Sequence, residues 1–190
     1  GFRYLRSEKL IRSTLITALM INFFSASISI GLPFIVVEEL KIKSEHFGLI
    51  EGMFAAGILL ASLFFSLKKK DIEFPLIMMK KGIMIISIVI PLFVLPIIFS
   101  ISYPLQIVYF IIISIFYGII FTFINTPLGV ILQKETKEEY RGRVFGVLET
   151  FAQALSPISI LLYGWLFDIV GPIWTIFPSS ILMVSVVLYL

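Results

Sequence analysis

Glu149 stands in an apolar stretch, Val144 to Phe167, that carries no other charge. Written on a helix, Gly142, Gly146, Glu149, Gln153, Ser156, Ile160 and Gly164 recur in steps of three and four and share one face. That face is small and polar, while the others carry Val, Phe and Leu. Arg143 lies about 9 Å back along the same helix at 1.5 Å per residue, and no cation stands three or four residues away. A carboxylate so placed must find a partner, reach water or take up a proton. Taking up a proton is the chemistry of a proton-coupling group. The plainer alternative is a glutamate that reaches back to the membrane surface. Two more polar stripes accompany it: Asn22, Ser25, Ser29 and Pro33, and then Ser114, Gly118, Phe121 and Asn125 with Tyr117 and Thr122 beside them. Singly, such residues suit interhelical hydrogen bonds of about 0.6–2 kcal/mol. Three stripes on three segments together suit the lining of a water-filled cavity. The Gly142-x-x-x-Gly146 spacing predicts close helix approach.

The elements that must position these residues follow from the composition. Of 190 residues, 59% are hydrophobic and 14% charged. A soluble domain carries about 25% charged residues, so the chain is read as all-α and integral to a membrane, embedded in the lipid bilayer. Its charges come in blocks. Between them lie uncharged or singly charged runs of the length a bilayer demands, about 20 residues. The run Gly82–Gln133 is twice too long for one helix, and Tyr103-Pro104 near its middle supplies a turn. Six spans result, at about 11–37, 46–67, 76–99, 104–132, 143–167 and 171–190. Thirteen of the fifteen cations fall on the N-terminal segment and on alternate loops. Only Lys41 and Lys43 fall on the others, which predicts cytoplasmic N- and C-termini in a multi-pass protein. Pro91 and Pro96 are expected to soften the third span, and Tyr103, Tyr163, Trp165 and Trp174 to lie at the interfaces. Glu51, near the outer end of its span, is read as solvent-exposed, and His46 as a polar loop residue.

The chain opens on Gly1 within a basic stretch and closes on Leu190 without a polar tail, so a piece of a longer protein is expected. Residues echo at an offset of 94: Pro33 with Pro127, Gly48 with Gly142, Gly52 with Gly146. With three spans entered from each side, the echo predicts a 3+3 inverted repeat, a recurrent transporter plan. The opening Gly-Phe-Arg-Tyr-Leu-Arg, then Asn125-Thr-Pro-Leu, Leu132-Gln133 and Arg141-Gly-Arg-Val-Phe-Gly146, carry a resemblance. So do Pro157 and Gly164-Trp-Leu-Phe-Asp168-Ile-Val-Gly171. Together they resemble the carboxyl-terminal six-helix half of major facilitator superfamily exporters, in the branch holding macrolide and enterobactin exporters. The loop 68–75 departs from the Gly-Asp-Arg-Gly pattern of many members, so no gating contact is transferred to it.

The resemblance implies one half of a twelve-helix fold, completed by an amino-terminal six-helix half. It implies a secondary transporter that exports amphipathic small molecules of the drug, antibiotic or siderophore class by proton antiport. Glu149 is then the proton-coupling candidate. Asn22, Ser25, Ser29, Asn125, Gln153 and Ser156 are the cavity candidates, and Arg141, Arg143 and Asp168 the gating or helix-end candidates. A non-catalytic membrane scaffold is the alternative. Neither a His-Glu-x-x-His helix, a Ser-His pair nor paired metal-binding aspartates occur, so no enzyme is expected. There is no cysteine and no nucleotide-binding motif. No metal, cofactor or nucleic-acid partner is expected.

Overall fold

The computed structural model describes residues 8–68 and 72–189. The opening motif 1–6, the cations Arg3, Arg6, Lys69 and Lys70, and the C-terminal Leu190 lie outside the described residues. Secondary structure among the described residues is helical throughout. Helix α1 (Lys9–Pro33) continues as a π-helical turn, Phe34–Glu39. Helix α2 covers Ser44–Leu67 and α3 Pro75–Val89. A 3₁₀ segment, Ile90–Val94, joins α3 to the short α4, Leu95–Phe99. Helix α5 is Tyr103–Glu135 and α6 is Glu138–Tyr189.

Proline sets several of these boundaries. Pro75 and Pro104 occupy the first turns of α3 and α5, where the missing N–H costs nothing. Pro91 and Pro96 interrupt the ladder of the third apolar segment, and the chain answers with the 3₁₀ segment between α3 and α4. Tyr109 of α5 donates its hydroxyl to the Leu92 carbonyl there at 2.7 Å. Ser100, at φ 47°, ends α4 in the left-handed region.

Among the described residues, five helices are long and apolar enough to cross a membrane: Lys9–Glu39, Ser44–Leu67, Pro75–Phe99, Tyr103–Glu135 and Glu138–Leu188. The sequence reading expects six separate helices in a 3+3 repeat; five are counted, because its last two are continuous. Residues 168–170 form no loop. Helix runs to Gly171, whose φ of 78° and ψ of 175° break it at a single residue, and Pro172 resumes it.

Helix α1 packs along α6, α2 along α5, and α3 against both α5 and α6. The pairing of α2 with α5 depends on two glycines. A Cβ on Gly57 would collide with the Ile115 carbonyl oxygen, and one on Gly118 with the Phe54 carbonyl oxygen. Each glycine thus seats the other helix's backbone, the close approach that small residues permit. The expected approach at Gly142 and Gly146 is not made: nothing stands within 4 Å of a Cβ at either. Their face of α6 is open. Buried Ile83, Ile86, Ile90, Phe93 and Phe110 fill the core, while Leu59, Leu63, Ile112, Trp165 and Trp174 point outward as lipid-facing residues would. Tyr163 is not interfacial; it is buried, with its ring 5.9 Å from that of Phe23.

Candidate functional site

Three adjoining cavities follow α1 from residue 18 to residue 32, about 21 Å along its axis. The first, about 230 Å³, is lined by Ala18, Ile21, Asn22, Asn125, Leu148 and Glu149, among others. The second, about 530 Å³, is lined by Asn22, Ser25, Ser29, Gln153, Ser156 and Phe121 with their neighbours. It shares Asn22 and Ala152 with the first. The third, about 250 Å³, shares Ser29, Phe54 and Tyr117 with the second and adds Glu51, Phe93 and Ser114. All six cavity candidates and Glu149 therefore line one cleft between α1, α2, α5 and α6.

The helices bring them there by period alone. Asn22, Ser25 and Ser29 follow one face of α1; Glu149, Gln153 and Ser156 follow the facing side of α6. Ser25 is buried, whereas Asn22, Ser29, Gln153 and Ser156 are open to the cleft. The fourth-span stripe divides. Ser114, Tyr117, Phe121 and Asn125 reach the cavities. Gly118 belongs to the α2 contact, and Thr122 donates to the Gly118 carbonyl at 3.0 Å.

Glu149 is exposed within this chain, not enclosed. Among the described residues it has no ion pair or hydrogen bond. Asn125 shares its cavity, but the Asn125 amide donates to Phe121 of its own helix at 2.9 Å.

The three helix-end candidates lie away from the cleft. Arg141 closes the turn between α5 and α6. Its Nε donates to the carbonyls of Gln133 at 3.0 Å and Thr136 at 3.2 Å, and its Nη1 to Glu138 Oε1 at 3.5 Å. It thereby satisfies carbonyls that the end of α5 leaves open. Arg143 lies over the Tyr140 ring, 5.9 Å from its centre. Asp168 is exposed, about 40 Å along α6 from Arg141.

Two further residues take part in contacts that their own helices do not reveal. His46 ties two helix starts: its Nδ1 lies 2.9 Å from the Tyr103 hydroxyl, which also accepts the Lys43 N–H at 3.3 Å. Glu51 lines the third cavity. The signal for Glu51 was present, because Gly48 and Gly52 flank it much as Gly142 and Gly146 precede Glu149. A further cavity of about 560 Å³, around Phe64, Lys68, Phe74 and Phe123, contains none of the candidates.

Long apolar helices enclosing a polar cleft define a multi-pass membrane protein. The chain belongs to the Major Facilitator Superfamily, whose family profile matches residues 1–159. This is a family of transporters and not, in general, of enzymes. No curated protein and no solved structure matches the chain.

Proposed function

We propose that the chain is one half of a secondary active transporter that exports amphipathic small molecules of the drug, antibiotic or siderophore class. Transport proceeds by proton antiport with alternating access across the cell membrane. The observation that carries this reading is the cleft, lined by polar side chains from α1, α5 and α6 beside a carboxylate with no partner among the described residues. Glu149 takes and releases the proton; Asn22, Ser25, Ser29, Asn125, Gln153 and Ser156 contact substrate or orient water. Arg141, Arg143 and Asp168 stabilise the closed ends of the pathway. The two limbs of α6, 138–170 and 172–189, act as separate spans, giving six in a 3+3 inverted repeat. An amino-terminal six-helix half covers the open face that carries Gly142, Gly146 and Glu149.

In acid-inside vesicles, the complete protein is expected to accumulate a fluorescent amphipathic dye and to lose that accumulation when a protonophore collapses the gradient. Accumulation indifferent to the protonophore overturns the antiport reading.

The orientation gives a separate prediction. Lys43 lies at the start of α5 through the Tyr103 contact, and Lys137 follows its far end, about 50 Å away. With the cation-rich ends inside, Lys43→Cys in intact cells should react with an impermeant thiol reagent while Lys137→Cys stays protected. Ready labelling of Lys137→Cys from outside reverses the topology.

A further inference from the structure

The cavity at the other end of the cleft from Glu149 has a chemistry of its own. Three rings form its apolar wall. Tyr117 is the shared member, with its ring centre 5.6 Å from that of Phe54 and 5.6 Å from that of Phe93. Phe93 stands nearly perpendicular to Tyr117, at 86°. Glu51 lies one helical turn before Phe54 and lines the same space. Nothing stands within 4 Å of a Cβ at Gly48 or Gly52, so the helix surface beside Glu51 is open. The ion pairs Lys41–Glu38 and Arg141–Glu138 lie elsewhere, and among the described residues no cation pairs with Glu51. Ser114, one helical turn before Tyr117 and 1% exposed, has a hydroxyl with no hydrogen-bond partner among the described residues.

Each of these groups asks for the same ligand. Ring faces carry negative quadrupole density and attract a positive charge. A carboxylate at the edge of a largely apolar cavity favours a cation there even where, as at Glu51, it is exposed, and an unpartnered buried hydroxyl needs a polar atom or a water. An anion would be repelled by both Glu51 and the rings. A neutral amphiphile would fill the space but leave the carboxylate uncompensated. The volume, about 250 Å³, suits an ammonium group bearing one aromatic or branched aliphatic substituent, and Ser29, Phe54 and Tyr117 line both this cavity and the larger one.

We infer that this cavity binds an organic cation, held against Phe54, Phe93 and Tyr117 with Glu51 as its counter-charge and Ser114 as a polar contact. The inference rests on reading the cleft as a substrate pathway and narrows its substrate to cationic amphiphiles. It assigns the two ends of the cleft different tasks: Glu149 handles the proton, Glu51 the substrate's charge.

The test is equilibrium binding, with no gradient and no transport, to the complete protein in lipid nanodiscs, with empty nanodiscs as the partition control. Phenyltrimethylammonium is titrated beside its uncharged carbon isostere tert-butylbenzene and the anion benzenesulfonate, with binding read by ligand-observed NMR. Saturable binding is expected for the cation alone. Glu51→Gln, which keeps the side chain's shape at an exposed position, should weaken it by about tenfold or more. Phe54→Leu should weaken it severalfold with the charge intact. Saturable binding of tert-butylbenzene or benzenesulfonate equal to that of the cation, or a Glu51→Gln protein with unchanged affinity, overturns the proposal. A failure of proton-driven accumulation would leave this binding intact. Failure of the binding would leave proton-driven export of neutral compounds standing, so the two readings fail separately.

Discussion

Gly118→Val is expected to separate α2 from α5 and leave the protein unable to hold its native fold at 37 °C. The obstruction is backbone: a Cβ at 118 lands on the Phe54 carbonyl oxygen, and no rotamer change relieves it. Gly57→Val meets the Ile115 carbonyl from the other side and should behave alike. Overpacking a core costs about 1–3 kcal/mol where side chains can adjust, and these sites belong at or beyond the upper end because helix axes must move. The same displacement would dismantle the third cavity, since Phe54 and Tyr117 stand on the two helices being forced apart. Gly142→Ala and Gly146→Ala are the controls. Nothing stands within 4 Å of either position, and alanine is the better helix former, so stability in the isolated chain should change by less than about 1 kcal/mol. Unfolding in mixed micelles, followed by circular dichroism, checks all four. A Gly118→Val protein as stable as its parent would mean that α2 and α5 do not meet through these glycines.

Glu149→Gln in the complete protein is expected to abolish gradient-driven accumulation while sparing downhill exchange. The amide mimics the protonated acid in shape and charge but cannot release a proton. One proton moving across one pH unit supplies about 1.4 kcal/mol, a tenfold substrate gradient for one-for-one exchange, and that tenfold is what the variant should lose. Within this chain Glu149 is exposed, so the proposed coupling role requires that the proposed second half bury it. A glutamate that merely reaches the membrane surface predicts no change. The measurements are substrate efflux from energised vesicles and proton release on substrate addition. If both persist in Glu149→Gln, the coupling group lies elsewhere.

Sequence and structure agree most closely where one helix suffices to make the point. The all-helical membrane fold was legible because charges are confined to the ends of apolar runs. The α6 stripe from Gly142 to Ser156 was legible because period 3.6 places such residues together whatever lies opposite. Pairwise facts were not legible. Nothing along the chain distinguishes Gly57 and Gly118, which meet a backbone, from Gly142 and Gly146, which meet nothing. Glu51 is exposed, as its place near a helix end suggests, but that it also lines a cavity depends on which helices wall the space beside it. Tyr163 was assigned to an interface by the same reasoning and proved to be core. The connection at 168–171 was read as a loop because a break was required there. One glycine with positive φ followed by proline makes the break without any intervening loop.

That absence of a loop turns Gly171 into a pivot. The limb 172–189 is about 27 Å long, and its direction relative to 138–170 is governed by two backbone torsions at one residue. A 10° turn there carries the far tip through about 5 Å, a helix-scale stroke from a change too small to register at its origin. Buried Ile176, Met183 and Val186 pack the limb against the rest of the bundle and resist the swing. A crevice of about 420 Å³ beside the limb is lined by Pro91, Leu92, Phe177 and Ile181, among others. Gly171→Ala would load this joint without touching a neighbour, since nothing stands within 4 Å of the new Cβ and the resistance comes from a φ of 78° that L-residues seldom adopt. The direction of the last limb relative to the first thus turns on the torsions of a single residue.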